Sequence, residues 1–236
     1  MLQKRACDLT TEDHAFHLRQ SDFGHCLSED LLARLAAKSF AIDYRRRRFI
    51  YRAKDVADSL YLIAHGRVKL CRVEETTGRE AVIDILSAGS LFGESALYSM
   101  GGREKCAVAY ENSRLLRIPA GDFKEGMAEN RSLYDYTFHL IGQRLARAER
   151  LVADFALDAI PARLEKLLLE FSQRYGVTET GGVLIDISLP HREIASIVGS
   201  TRESVTVRLN AMRREGIIDF VDRKILIKRP ESLAVA

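Results

Sequence analysis

The side chains best suited to recognise another molecule lie between residues 190 and 215, in the run PHREIASIVGSTRESVTVRLNAMRRE. A short helix is predicted before Gly199, which marks a sharp turn. Ser200 or Thr201 can cap a second helix, and Ser200 with Glu203 fits a capping box. Two short helices joined by a glycine-containing turn form the helix-turn-helix pattern, whose second helix can enter the major groove of DNA.

The residues that open the second helix have the chemistry of base readers. Arg202 can donate two parallel hydrogen bonds to guanine, and Glu203 can accept one from the amino group of cytosine. Thr206 and Arg208 lie one helical turn further on. Basic and hydroxyl side chains around the module suit phosphate contacts. They are His191, Arg192, Ser200, Thr201, Arg213, Arg223 and Lys224. The alternative is a core helix pair with a solvated charged face.

Residues 40–119 have a different pattern, because short strand-forming runs alternate there with turn residues. These runs are RFIYR, SLYLIAHG, RVKLCRVEE, REAVIDILSAG, KCAVAYENS and RLLRIP. Several strands at this spacing predict a small antiparallel barrel or sandwich. The glycines expected at its turns are Gly66, Gly78, Gly89 and Gly121. Residues 27–38 precede it as a short amphipathic helix with Ser28 as its cap.

A long helix is predicted from about residue 123 to 155, and it has two apolar faces. One face repeats at alternating steps of three and four residues, as in the a/d seam of a coiled coil. It consists of Tyr134, Phe138, Ile141, Leu145, Ala148, Val152 and Phe155. The other face, Leu133, Tyr136 and Leu140, can pack on the β-rich unit. Charged residues flank the seam as they do at the rims of coiled coils, namely Arg144, Arg147, Glu149 and Arg150. A second, parallel copy of the chain is the economical partner for the seam, and packing of both faces within one monomer is the alternative.

The helix is expected to end before Asp158 and Pro161. Proline suits the first turn of the next helix, with Asp158 near its capping position. That helix is expected to end at Gly176. A hairpin after Gly216, DFVDRKILIKR, would form a wing beside the helix-turn-helix.

Composition is that of an ordinary globular protein. The chain has 236 residues, of which 47% are hydrophobic and 29% charged, and this excludes a disordered or collagen-like chain. No run approaches the ~20 apolar residues of a membrane span, and the first residues are too polar for a secretory signal. We therefore expect a cytoplasmic protein with no membrane partner. The net charge of +3 is too small to indicate nucleic-acid binding by itself.

These motifs, in this order, resemble those of the CRP/FNR family of bacterial transcription regulators over nearly the whole chain. LYLIAHGRVKL resembles the family's second strand pair, and LFGESAL resembles its Phe-x-Gly-Glu effector-pocket element. IASIVGSTRESV resembles its recognition motif, Ile-Ala-x-x-x-Gly-x-(Ser/Thr)-Arg-Glu-x-Val. The resemblance implies a homodimeric regulator that binds two-fold symmetric double-stranded DNA and contacts RNA polymerase. An enzyme is not expected, because no nucleophile–base pair, P-loop or zinc-hydrolase spacing is found.

The resemblance also implies an α+β fold in a fixed order. An N-terminal extension (1–26) precedes an antiparallel β-roll sensor domain that is cyclic-nucleotide-binding-like (27–122). A long dimerisation helix (123–157) follows, and a winged helix-turn-helix DNA-binding domain (158–236) ends the chain.

At the recognition helix, the resemblance assigns Arg202 and Glu203 to the family's base-reading positions. The third reader, an Arg in many members, is Val207 here, which can contact a thymine methyl group but cannot hydrogen-bond guanine. Arg208 is one step further, about 100° around the helix, and replaces that reader poorly. We expect a palindromic operator that keeps the C·G pair read by Glu203 and differs elsewhere from the usual family half-site.

Candidate effector-pocket residues follow from the same resemblance. They are Gly93, Glu94, Ser95, Arg103, Glu104 and Arg147. Gly93 and Glu94 match the pair that meets the ribose of a cyclic nucleotide, although they can also be a retained structural turn. Arg103 matches the family's phosphate-binding Arg, but Glu104 replaces the following Ser. A carboxylate there repels a phosphodiester and pairs with Arg103 instead, so cAMP is disfavoured. The family's adenine-reading Thr-Ser pair falls near Arg147 and is absent.

Other sensor chemistries find little support. No iron–sulfur cluster is expected, because the four cysteines are scattered without a CxxC pair and are predicted to be reduced thiols. They are Cys7, Cys26, Cys71 and Cys106. CO-sensing haem members place Cys or His just after the Gly-Glu position, whereas GESALYSM has neither. His14, His17 and His25 form a loose group with Cys26, for which surface residues are a simpler interpretation than a metal or haem site.

Several regulatory modes stay open. The regulator can be effector-controlled by an unidentified small ligand, constitutive, or a cyclic-nucleotide-, haem- or redox-responsive protein of the same fold. A hypothesis from another class is a ligand-binding signalling module whose helix-turn-helix contacts proteins.

Overall fold

The computed structural model describes residues 5–6, 9–98 and 101–233, so Cys7 lies outside the described residues. The chain divides into two compact units, Met1–Ala146 and Arg147–Ala236, which we call the N-terminal and C-terminal units. Among the described residues, no helix combines the length and apolar character needed to cross a bilayer.

The elements are numbered in chain order. The helices are α1 (Thr11–Arg19), α2 (Glu29–Lys38), α3 (Ser95–Tyr98), α4 (Ala120–Glu129), α5 (Arg131–Leu157), α6 (Ile160–Tyr175), α7 (His191–Val198) and α8 (Arg202–Arg214), with 3₁₀ turns at Gly24–Cys26 and Pro230–Leu233. The strands are β1 (Arg5–Ala6), β2 (Phe40–Tyr44), β3 (Phe49–Tyr51), β4 (Ser59–His65), β5 (Val68–Val73), β6 (Glu80–Leu86), β7 (Leu91–Phe92), β8 (Cys106–Ala109), β9 (Ser113–Pro119), β10 (Gly176–Glu179), β11 (Gly182–Ile185), β12 (Ile218–Val221) and β13 (Lys224–Ile227).

Two antiparallel sheets form the N-terminal unit, in the orders β1-β2-β9-β4-β7 and β3-β8-β5-β6. Strand β4 is buried on both faces, which explains its unbroken apolar run. Tyr61 and Ile63 join one core cluster, and Leu60 and Leu62 join another. The predicted antiparallel β-rich unit is confirmed. Gly121 is the exception among the predicted turn glycines, because it lies inside α4 rather than in a turn.

Helices cover the outer face of the first sheet. Leu18 and Phe23, from the first 26 residues, are fully buried in the same core as Leu133 of α5. Tyr136 and Leu140 pack against this core, which confirms the second apolar face predicted for the long helix. Ser28 caps α2 as predicted, since its hydroxyl accepts a hydrogen bond from the Leu31 amide.

The predicted helix beginning near residue 123 is two helices, α4 and α5. Asn130 separates them, with extended backbone. Its amide oxygen accepts a hydrogen bond from the Leu133 amide at 3.0 Å, as a capping side chain does at the start of a helix. Its amide nitrogen donates to the Cys26 carbonyl at 3.0 Å. The continuous helix therefore begins at Arg131.

The C-terminal unit places α6, α7 and α8 beside a sheet of order β10-β11-β13-β12. The N-cap of α6 is Ala159, directly after Asp158, which was expected near this position; Asp158 pairs with Lys166 at 2.6 Å. Of the two residues predicted to cap α8, Thr201 is the cap, because its hydroxyl accepts a hydrogen bond from the Ser204 amide at 3.2 Å. The predicted capping box of Ser200 with Glu203 was wrong, because Ser200 is not the cap.

Candidate nucleic-acid interface and sensor site

The turn between α7 and α8 depends on Gly199. This residue has φ of +65°, which an L side chain adopts only at a cost. A Cβ atom at Gly199 would also lie 2.5 Å from the Phe155 ring. Glycine therefore allows both the left-handed end of α7 and the close packing of Phe155 against it.

Helix α8 buries one face and exposes three of the five residues predicted to read bases, Arg202, Glu203 and Val207. Its buried positions are Val205, Leu209 and Met212. Arg202 and Glu203 are exposed at the beginning of the helix, and neither forms an ion pair with any described residue. Val207 is 69% exposed. The start of α8 thus offers a free guanidinium, a free carboxylate and an apolar side chain to a partner.

The hydroxyl of Thr206 is held by two hydrogen bonds. It donates to the Arg202 carbonyl at 2.7 Å, so the contact of 2.8 Å with His191 Nδ1 requires the histidine to donate. Partial burial, and secondly the charge of Arg202, lower the pKa of His191. The interaction fixes His191 at the start of α7 against the recognition helix.

Arg208 does not extend this reading surface. Its guanidinium is held by Glu165 of α6 at 2.6 Å and lies 4.0 Å from Glu215. The side chain is only 31% exposed. We therefore correct the assignment of Arg208 as a base reader to that of a residue that ties α8 to α6.

The predicted phosphate-binding residues divide into free and engaged side chains. Arg192 and Arg223 are exposed and have no ion-pair partner in the described part of the chain. Arg223 occupies the tip of the hairpin between β12 and β13 with φ of +66°. Arg213 pairs with Asp219 at 3.2 Å, and Lys224 pairs with Asp186 at 2.6 Å. These two cations are already partly neutralised.

The two hydroxyl groups predicted to contact phosphate differ in their exposure, because Thr201 is exposed and the Ser200 oxygen is not. The Ser200 oxygen is buried, so it cannot meet a phosphate. The Thr201 oxygen accepts from the Ser204 amide and donates to the Ser204 hydroxyl at 3.0 Å. Asn210, which the sequence analysis did not single out, is also exposed on α8. The signal that could have found it is its spacing of seven and three residues from Glu203 and Val207, which places all three on one helix face.

In the N-terminal unit, Glu94 is a buried carboxylate, 3% exposed, that is occupied by two cations of the same unit. Lys105 Nζ lies 2.9 Å from its Oε1, and Arg144 of α5 pairs with its Oε2. Arg144 also donates to the Leu91 carbonyl at 2.6 Å. Burial lowers the pKa of both Arg144 and Lys105. Arg144, expected at the rim of the coiled-coil seam, instead closes the carboxylate expected to meet a ligand.

Arg103 is also buried, at 3% exposed. It donates to the Gly93 carbonyl at 2.8 Å, to the Ser59 carbonyl and, at 3.4 Å, to the Ser95 hydroxyl. Its guanidinium carbon lies 4.3 Å from the centre of the Tyr51 ring. The structure thus brings together Gly93, Ser95 and Arg103, three of the candidate pocket residues.

Two other predicted pocket residues have different surroundings. Glu104 is exposed, and the expected pairing with Arg103 was wrong, because the partners of Arg103 within the described part of the chain are carbonyl and hydroxyl oxygens. Arg147 pairs with Glu170 of α6 in the C-terminal unit. The α5 residue that reaches Glu94 is Arg144, three positions earlier.

The seam residues of α5 are mostly solvent-exposed, including Phe138 at 70% and Val152 at 69%. Tyr134, Leu145, Ala148 and Phe155 are exposed as well, whereas Ile141 is half-buried. Phe155 has an additional role, since its ring lies against Gly199 and under the Arg163 guanidinium, 4.8 Å away.

The N-terminal histidines do not form a metal site in the described chain, where no group of three potential ligands is found. His14 is buried, and its Nδ1 lies 3.1 Å from the Ala36 carbonyl oxygen. His25 is exposed. Cys26, Cys71 and Cys106 are buried free thiols. Cys71 and Cys106 stand directly opposite each other on β5 and β8, a proximity that sequence spacing did not indicate.

Comparison with known proteins agrees with both units. Residues 41–130 match the model of the cyclic nucleotide-binding domain, and residues 162–236 match that of the Crp-like helix-turn-helix domain.

Relatives extend the match along the chain. The global nitrogen regulator of a Nostoc species is 30% identical over 193 residues, covering 81% of this chain and 86% of the relative. The CRP-like cAMP-activated global transcriptional regulator of Mycobacterium tuberculosis is 28% identical over 203 residues, covering 86% and 90%. The solved structure of a CRP/FNR-family transcriptional regulator from Thermus thermophilus aligns with a TM-score of 0.64 and 27% identity, covering 82% of this chain and 95% of that one. The chain belongs to the CRP/FNR family of DNA-binding transcription regulators, which are not enzymes.

Proposed function

We propose that this regulator binds a two-fold symmetric operator as a homodimer, with α8 of each copy in the major groove. The observation that carries the proposal is the exposed pair Arg202 and Glu203 at the start of α8, on a helix whose opposite face is buried. Arg202 would recognise guanine, and Glu203 would accept a hydrogen bond from cytosine. Val207 follows them on the exposed surface.

The exposed apolar face of α5 supports pairing between two copies. Large side chains such as Phe138 and Val152 repeat there at the spacing of a coiled-coil seam. A two-fold dimer would present two copies of α8 to successive major grooves, about 34 Å apart. Pairing therefore supplies both the burial that this face lacks and the symmetry that a palindromic operator needs.

Phosphate contacts would come mainly from the cations that are free of carboxylates. Arg192 and Arg223 meet this condition among the described residues, and so does Arg214 on α8. Arg213 and Lys224 would contribute less, because Asp219 and Asp186 already offset their charges. His191 would add a hydrogen-bond donor only through Nε2, since its Nδ1 is committed to Thr206.

The pairing of the Glu94 carboxylate with Lys105 and Arg144 supports a sensor that does not respond to cAMP. A ribose hydroxyl would have to displace Lys105 or Arg144 from a buried carboxylate, which is costly. Glu104, the residue directly after Arg103 in the sequence, is exposed and adds a negative charge. Regulation would then depend on a different small ligand or on the abundance of the protein.

RNA polymerase is the proposed second macromolecular partner, because a DNA-bound regulator of this family controls transcription. The cytoplasm, where the DNA lies, is the proposed location.

Footprinting of genomic DNA with the full-length protein tests this function. We expect protected sites with two-fold symmetry, each spanning two successive major grooves. Absence of protection at low salt, where phosphate contacts are strongest, would refute DNA binding and favour a helix-turn-helix that contacts proteins.

A further inference from the structure

The surface of α8 between Glu203 and Arg214 carries an apolar side chain followed by an amide. Val207 is 69% exposed and Asn210 is exposed. Both share the face of Glu203, because positions four and seven residues apart are neighbours on one side of a helix. Arg208, the cation nearest to them in the chain, is held by Glu165 and does not reach this face.

Thr206 increases the apolar character of the same surface. Its hydroxyl hydrogen goes to the Arg202 carbonyl, and His191 occupies a lone pair of its oxygen. The methyl group is thus the part of Thr206 without a hydrogen-bonding role. The bond to the Arg202 carbonyl prevents the Thr206 hydroxyl from donating to a base, and His191 acts as a positioning residue that donates to the same oxygen.

Thymine is the base that presents a methyl group in the major groove, and an Asn amide matches the N6 and N7 atoms of adenine. Resting on the proposed function, we propose that Val207 and Asn210 form a recognition site for adjacent A·T base pairs. Val207 contacts the thymine methyl group, and Asn210 forms two hydrogen bonds with adenine. Seven residues of helix span about 10 Å, or about three base-pair steps, so these pairs lie within that distance of the C·G pair read by Glu203.

The first test is selection of duplexes from a random pool by the full-length protein, which is expected to retain A·T pairs within about three positions of the C·G pair. Replacing the contacted thymine by uracil in the selected duplex removes only the methyl group. Affinity is expected to fall about fourfold per half-site. Val207→Ala should weaken binding to the thymine duplex and make the protein insensitive to the replacement. Val177→Ala, at a 49% exposed valine of β10, is the matched control and should keep the response of about fourfold.

Asn210 is tested with 7-deazaadenine, which lacks the N7 acceptor. We expect about fivefold or greater loss with the wild-type protein and no further loss with Asn210→Ala. Equal weakening of every duplex by Asn210→Ala would indicate a phosphate contact and overturn the assignment. If the protein selects other bases and ignores uracil, the A·T site is refuted while DNA binding stands. If no duplex is selected, the proposed function fails, and this site with it.

Discussion

Exchanging the two arginines of α8 for alanine, one at a time, should separate fold from recognition. Arg208 is bound to Glu165 at 2.6 Å and is 31% exposed, whereas Arg202 is exposed and has no ion pair with a described residue. A charge-assisted bond at this partly buried position contributes about 1 to 2 kcal/mol. For a unit of this size, Arg208→Ala should therefore lower the melting temperature by about 5 to 15 °C.

Arg202→Ala should weaken operator binding and leave stability unchanged. Loss of a bidentate base contact costs about 1 to 3 kcal/mol per half-site, so two half-sites give about 30-fold weaker operator binding or more. Its melting temperature should match that of the wild type. Calorimetry of the full chain and operator titration at about 25 °C measure the two effects. A large loss of affinity in Arg208→Ala without a change in melting temperature would refute the reasoning.

Three further perturbations follow from buried or strained groups. Glu94→Gln leaves Arg144 and Lys105 without their carboxylate and should destabilise the N-terminal unit by about 3 to 5 kcal/mol. Urea unfolding followed by near-UV circular dichroism of the tyrosines measures this loss. The double variant Glu94→Gln with Arg144→Met should recover part of the lost stability, and no recovery would count against the pairing. Partial burial lowers the pKa of His191 in the folded chain, so the unfolded chain binds more protons below pH about 6.5. The free energy of unfolding should therefore fall as the pH drops through that value, and it should fall less in His191→Asn. Identical pH profiles of the two proteins would contradict this. Gly199→Ala should lower the free energy of unfolding by about 1 to 2 kcal/mol through its backbone alone, and by more because of the contact with Phe155. Gly181 also has positive φ but nothing within 4 Å of an added Cβ atom, so Gly181→Ala should lose only the backbone contribution. Equal losses of stability in thermal unfolding would contradict the ring contact.

The helix-turn-helix could be predicted from the sequence because its signals are local. Gly199 gives the left-handed turn, a hydroxyl residue caps α8, and apolar residues three and four positions apart form the buried face. Even here the sequence left Ser200 and Thr201 as alternatives, and only the structure shows that the Thr201 hydroxyl meets the Ser204 amide.

Partners distant in sequence could not be predicted in the same way. Glu94 and Arg144 are 50 positions apart, and Glu165 and Arg208 are 43 apart. Charge pattern alone assigned both arginines to the surface, as a seam rim and a base reader. Only the packing of helices against strands, or of one helix against another, shows which carboxylate each guanidinium meets.

Titration of the full-length protein with operator duplexes of altered spacing tests the central claim most directly. Inserting about 5 base pairs between the half-sites turns them to opposite sides of the duplex. If two α8 helices are held together by a homodimer, affinity should fall to that of a duplex with one half-site. Equal affinity for the native, expanded and single half-site duplexes would show that each copy binds alone and would contradict the account.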